Sequence, residues 1–408
     1  MSTGRPVPEP LSPAHPATGL QGDARKRVLG LIAMMIMVHL AFTGGRVGLT
    51  LFAIHLQASH FVVGLMVSLL SVIPMVLSVH LGRWTDRVGI TTPALISTSL
   101  VTTACLLPFL RPSIASLCVA SVLLGSGFML LHIGVSNAVG HASTPATRTQ
   151  AYTWLAVGFS VSTILGPVVA GYAIDHAGHA KAFLILAMFP AVTFAILCLR
   201  RKAASVPPPL APRADDAHVM DLLRHGPLRA VFIASAFMNV SWDMFTFMMP
   251  VYGAQIKLSA SHIGLVMGSF GVATFMVRLL MPWLNRFLTE WKVLCFALGA
   301  AGLSYALFPL TAALPFLLGL AFFLGFGLGA AQPMLLSLIH QTAPAGRTGE
   351  AIGLRTSFLN LSQVLMPLTV GAFSAAAGML PAFWIMALVG ASGSWFAGRR
   401  SRHGPPLP

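Results

Sequence analysis

Three arginines and one aspartate interrupt stretches that are otherwise apolar, and these four residues are where chemistry must first be sought. Arg46, Arg278, Arg355 and Asp243 each stand inside a run of Leu, Ile, Val, Met, Phe and Ala. A charge held in hydrocarbon needs a partner, a watery cavity or a function. Arg46 lies about five residues past the middle of its run, and Asp243 about three past the middle of its own. At 1.5 Å per residue the two depths agree within roughly 3–4 Å. Such a pair could form across a gap between two helices, and either an anion competing for Arg46 or a proton on Asp243 would release it. A fixed structural ion pair is the plainer reading of the same two residues. His132 and Gln332 offer an imidazole that can titrate near neutral pH and an amide, both able to hydrogen-bond a solute. Asn239, Trp242, Asn360 and Gln363 are further polar candidates. His39 and His55 have no evident partner, and His55 falls near the outer end of its run. Arg355 lies about a turn and a half inside its run, five residues after Glu350, and reads with it as structural.

No H-E-x-x-H, Walker loop, G-x-S-x-G or carboxylate cluster occurs in the chain. Metal hydrolysis and ATP-driven pumping therefore have no support, and the expected protein is not an enzyme and carries no metal or cofactor. The four cysteines, Cys105, Cys118, Cys198 and Cys295, all sit in apolar runs without paired spacing, so neither a metal site nor a disulfide framework is expected.

The elements that must position these residues are membrane helices. Of 408 residues 56% are apolar and 9% charged, against roughly 25% charged in a soluble domain. Runs long enough to cross a ~30 Å hydrocarbon layer recur throughout. They divide into twelve spans at 28–55, 61–81, 93–110, 114–140, 150–174, 181–199, 227–253, 261–282, 292–311, 314–340, 350–377 and 380–398. Residues 1–27 read as a disordered cytoplasmic tail with no secretory signal, and Arg25, Lys26 and Arg27 abut a first span that stays in the mature chain. Residues 200–226, with Pro207 to Pro209 and Asp215 and Asp216, form a polar linker between bundles 28–199 and 227–398, and 399–408 form a second tail.

With both termini cytoplasmic, 19 of the 25 Lys and Arg fall on the cytoplasmic side, three outside (Arg111, Lys181, Lys257) and three within spans. The positive-inside rule is satisfied. The net charge of +15 thus marks topology, and nucleic acid is not an expected partner.

The two halves repeat at an offset of 200 residues. Ala151, Ser162, Leu165, Pro167, Gly171, Gly178 and Phe183 fall on Ala351, Ser362, Leu365, Pro367, Gly371, Gly378 and Phe383, and Gly64-Leu65 falls on Gly264-Leu265. Two long parallel repeats in lipid are an architecture of secondary transporters.

After the second span the chain runs Gly82-Arg83-Trp84-Thr85-Asp86-Arg87-Val88-Gly89, which we place in a cytoplasmic loop. This resembles the G-x-x-x-D-R-x-G loop signature of the major facilitator superfamily. The second half carries a degraded copy, Met281-Pro282-Trp283-Leu284-Asn285-Arg286, preceded by Arg278. The stretch from Ser162 through Gly166, Pro167 and Gly171 resembles that family's antiporter signature in part, with small residues for close helix contact and a proline for a bend. At the place of the family's proton-linked arginine, before Gly125, stands Ser121.

The resemblance implies an all-α membrane fold of two pseudo-symmetric six-helix bundles, with helices 1, 4, 7 and 10 lining a central cavity. It puts Arg46, Asp243, His132 and Gln332 at that cavity. Asp86, Arg87, Glu350 and Arg355 are expected to make a cytoplasmic gate network. The expected function is alternating-access transport of a small solute by a multi-pass monomer in a bacterial inner membrane. Proton-coupled export of a small organic molecule is favoured, with uptake of an organic anion by symport as the alternative and a transport-dead receptor or scaffold as a remote one.

Overall fold

The computed structural model describes residues 22–143, 147–199, 219–284, 287–344 and 347–403. Twelve α-helices follow in order: α1 (Gly22–His55), α2 (His60–Val88), α3 (Thr91–Leu110), α4 (Ile114–Ala142), α5 (Arg148–Ala177), α6 (His179–Leu199), α7 (Gly226–Gln255), α8 (Ala260–Leu284), α9 (Glu290–Leu307), α10 (Leu314–Thr342), α11 (Thr348–Ala377) and α12 (Met379–His403). Short 3-10 turns at Val219–Leu223 and Phe308–Leu310 flank α7 and α9, and no strand occurs among the described residues. All twelve helices are long and apolar enough to cross a membrane. The cause is the solvent: hydrocarbon offers no partner to a backbone N–H or C=O, and a helix satisfies both within one segment.

Three boundaries differ from expectation for one reason; one of them is α12, which runs to His403, so residues 399–403 are helical and not part of a tail. α1 starts at Gly22, so the basic residues Arg25, Lys26 and Arg27 are helical and not part of a tail. α2 runs on to Val88, so the segment Gly82 to Arg87 forms helical turns and not a loop. Apolarity ends where lipid ends, but the helical hydrogen-bond ladder continues into water. Gly89 then stops α2 at φ +72°, with its N–H donating to the Thr85 carbonyl. The remainder of the expected N-terminal tail, residues 1–21, most of the linker, 200–218, and residues 404–408 lie outside the described residues.

An even number of crossings puts Gly22 and His403 on one side, the termini side, with the α1–α2 and α7–α8 turns on the far side. The repeat extends to the backbone. Gln57 and Lys257, at equivalent far-side turns, both have φ +60°, and Gly178 and Gly378 both have φ +85°.

The two bundles meet along two equivalent crossings, α2 against α11 and α5 against α8. A Cβ on Gly64 would strike the Pro367 carbonyl, and one on Gly264 the Pro167 carbonyl. The small-residue positions of the repeat are thus the seam itself, where backbones touch without side chains between them. Lower along α2, Ser68 Oγ donates to the Val364 carbonyl at 2.6 Å.

The far side carries polar latches. Asp175, at the end of α5, accepts from the Ala260 and Ser261 amides of α8 at 3.0 and 2.8 Å. A carboxylate at a helix N-terminus meets both orphan N–H groups and the helix dipole. At the other crossing His60 Nδ1 reaches the Ser374 carbonyl at 3.2 Å and Nε2 reaches the Gln255 amide nitrogen at 3.0 Å. A carbonyl only accepts, so Nδ1 carries the proton and Nε2 accepts from Gln255.

Candidate functional site

Arg46 projects from α1 into a cavity between bundles. Phe42, one turn earlier, lines it with Leu70 and Ser71 of α2, Phe128 and Met129 of α4, and Gln363 of α11. The Phe42 and Phe128 rings stack at 4.1 Å. Arg46 Nε is enclosed yet has no hydrogen-bond partner.

Asp243 on α7 is 4% exposed. It lies within electrostatic range of Arg46 and hydrogen-bonding reach of Gln363. The two charges do not touch: the ion pair formed among the described residues is Arg347–Glu350, at 2.6 Å. Gln363 stands beside both, accepting from Ser71 Oγ at 3.2 Å. The chain Ser71–Gln363–Asp243 therefore ties α2, α11 and α7 together beside the Arg46 charge. A carboxylate this buried, hydrogen-bonded to a neutral amide and out of ion-pair contact with Arg46, is a group whose interactions a proton or a competing anion would change.

His39, expected to lack a partner, has one. Its Nδ1 shares a 2.6 Å hydrogen bond with Ser162 Oγ on α5. The partner lies 123 residues away in sequence, so no local pattern could reveal it. His39 also stacks on Phe128 at 5.1 Å and meets Phe159 edge-on at 4.9 Å. His132 on α4 contacts the same two rings, at 5.7 and 5.3 Å. The two imidazoles and the rings of Phe42, Phe128 and Phe159 make one aromatic column leading from the Arg46 cavity. His55 likewise has a neighbour, stacking on His179 at 4.4 Å.

Gln332, the repeat equivalent of His132, is engaged elsewhere. Its Oε1 accepts from Arg355 Nη2 at 3.0 Å, and Arg355 Nε donates to Ser235 Oγ at 3.3 Å. Arg355 is 6% exposed. It thus points into the C-terminal bundle between α7, α10 and α11, and does not join Glu350 in a gate. Glu350 pairs with Arg347 through Nε at 2.8 Å, and Arg87 is exposed. The Asp86 side chain lies outside the described residues. The cause is helix rotation: Arg355, Phe358 and Ser362 are spaced three and four apart and share one face of α11, turned from Glu350.

Arg355 and Ser362, with Phe232, Ser235 and Asn239 of α7, line a second cavity. Trp242 packs edge-on against Phe270 at 4.8 Å, and Asn360 is buried at 7% exposure; neither lines either cavity. Arg278 leans across the seam, Nη1 donating to Ser160 Oγ at 3.0 Å. Gly166 lies against α1, where a Cβ would crowd the Leu40 carbonyl at 2.9 Å, and Gly171 lies against the Ala260 carbonyl of α8. The antiporter-like stretch therefore packs on both sides, Gly166 inside its own bundle and Pro167 and Gly171 on the seam.

The solved structures most informative here are transporters. A POT family transporter in complex with a thioalcohol-conjugated peptide superposes with TM-score 0.77 at 13% identity, over 92% of this chain and 96% of that one. A peptide transporter POT in complex with sulfate gives 0.76 at 16% identity, over 94% and 96%. A bacterial homolog of the human lysosomal transporter Spinster, inward-facing and unoccupied, gives 0.74 at 12% identity, over 93% and 97%. No curated protein matches the chain. At such identities the superpositions establish the twelve-helix fold alone. The sequence profile described as Major Facilitator Superfamily matches residues 29–349 and again 231–408. With that match spanning both halves of the repeat, the chain belongs to the Major Facilitator Superfamily of secondary transporters.

Proposed function

We propose that this multi-pass protein moves a small organic molecule out of a bacterial cell across the inner membrane by alternating access, driven by protons, with both termini in the cytoplasm. The observation that carries the reading is Asp243: a carboxylate buried at the seam, within range of Arg46 and joined to α2 and α11 through Gln363. A proton arriving there would remove the charge that attracts Arg46 and loosen a contact shared by both bundles. The far-side latches support a conformation sealed outside, with the cavities approached from the cytoplasm. The partial antiporter-like packing of Gly166, Pro167 and Gly171 supports export.

Uptake of a small organic anion with protons is the second reading, favoured by the unpartnered Arg46 Nε in its cavity. The deciding experiment uses reconstituted vesicles with an imposed pH gradient and a panel of organic solutes. Export predicts that solute leaves against its gradient when protons run in. If no solute moves in either direction under any gradient, a receptor or scaffold replaces both readings.

A further inference from the structure

The two repeats differ where α7 meets α11. In the first half α1 and α5 close tightly: Gly158 admits α1 so near that a Cβ would meet Ile32 at 2.9 Å, Leu155 is buried, and His39 satisfies Ser162. At the offset of 200 these positions become Phe358, Arg355, Asn239 and Ser362. The larger Phe358 holds α7 and α11 apart, and the shorter Asn239 leaves Ser362 Oγ enclosed with no hydrogen-bond partner. A cavity of about 30 Å³ opens between them.

Three polar side chains, Arg355, Ser362 and Asn239, line this space. Arg355 makes two hydrogen bonds, both to neutral side chains, and has no carboxylate within ion-pair distance among the described residues. Ser362 Oγ has none, and the Asn239 side chain lines the same space. Water could supply hydrogen bonds, but it cannot offset a buried guanidinium. The space is too small for a whole solute but exceeds the roughly 10–15 Å³ that one water needs, so it can take a single small polar group. Phe232 and Phe358, their ring centroids 6.2 Å apart, supply apolar walls.

We propose that this pocket is a carboxylate-binding subsite, in which Arg355, Ser362 and Asn239 hold the acid group of a small organic acid whose apolar body lies along Phe358. It rests on the transport reading and deepens it by naming the substrate class.

The test is equilibrium binding of benzoate to the full-length protein in detergent, beside benzamide as the neutral isostere. Benzoate should bind and benzamide should bind about tenfold more weakly or worse, the scale of a charge-assisted bond. Arg355→Gln should weaken benzoate by about tenfold or more, and Ser362→Ala by about three- to tenfold. Lys257→Gln, on the far-side turn, should leave it unchanged, which separates the pocket from general attraction to a basic protein. Should Arg355→Gln fail to fold, Ser362→Ala decides, because its hydroxyl bonds to nothing in the folded chain. Equal binding of benzoate and benzamide, undetectable benzoate binding, or wild-type affinity in both pocket variants would overturn the proposal. Arg355-dependent binding without vesicle transport would sink the transport reading and leave the subsite standing.

Discussion

Asp175 and Ser261 are joined across the two bundles by a hydrogen bond of 2.8 Å from backbone amide to carboxylate, with the Ala260 amide on the second oxygen. Asp175→Asn keeps one acceptor and puts an N–H donor against the other amide. Hydrogen bonds to charged groups are worth about 1.5–3 kcal/mol, so the sealed far side should lose population by on the order of tenfold. Spin labels at Gln57 and Lys257, in a chain freed of its native cysteines, should show a longer distance distribution; an unchanged distribution would count against the latch.

The seam predicts a packing effect. Gly64→Val and Gly264→Val each drive a side chain into a proline carbonyl of the facing helix. Overpacking of this kind costs about 1–3 kcal/mol. Both variants should melt below wild type, while Gly30→Val, with open space at its Cβ, should not. Equal melting of all three would show that the crossings yield more easily than their geometry implies.

Asp243→Asn should abolish solute movement driven by a pH gradient yet retain exchange of solute for solute. Arg46→Gln should weaken both. The two assays are run in the same vesicles with the same solute, and gradient-driven transport by Asp243→Asn at the wild-type rate would remove Asp243 from coupling.

Ser162→Ala and Ser362→Ala are the same substitution at equivalent places with opposite expected outcomes. The first leaves the His39 Nδ1 unpaired in a buried site, a loss of about 1–3 kcal/mol. The second removes a hydroxyl that already has no partner, so thermal stability should hold or rise. Equal destabilisation would mean that Ser362 has a partner the geometry does not reveal.

The helices were legible because lipid enforces one answer: every run of sufficient apolar length became a span, and ends shifted only where helices leave hydrocarbon. Depth along a helix is also legible, and it puts Arg46 and Asp243 at matching levels. Rotation about the helix axis is not. A five-residue spacing suggests that Arg355 stands beside Glu350, yet α11 turns Arg355 inward to Gln332 and Ser235. Composition likewise marks Trp242 as a polar candidate without showing that its ring packs edge-on against Phe270. Ser71, Ser162 and Ser235 hold the polar side chains of the site, and the unpartnered Ser362 stands out only by comparing repeat partners: His39 with Ser162 against Asn239 with Ser362.

The glycine–proline crossings also set a mechanical ratio. From Gly264 to the end of α8 at Leu284 is roughly 30 Å of helix at 1.5 Å per residue, so a tilt of about 10° at the crossing would carry that end by roughly 5 Å, one helical pitch. The contact acts as a lever with a short arm toward the far side and a long arm toward the termini. Small angular changes, reached by exchanging a few hydrogen bonds near the pivot, thereby become an aperture wide enough for a solute.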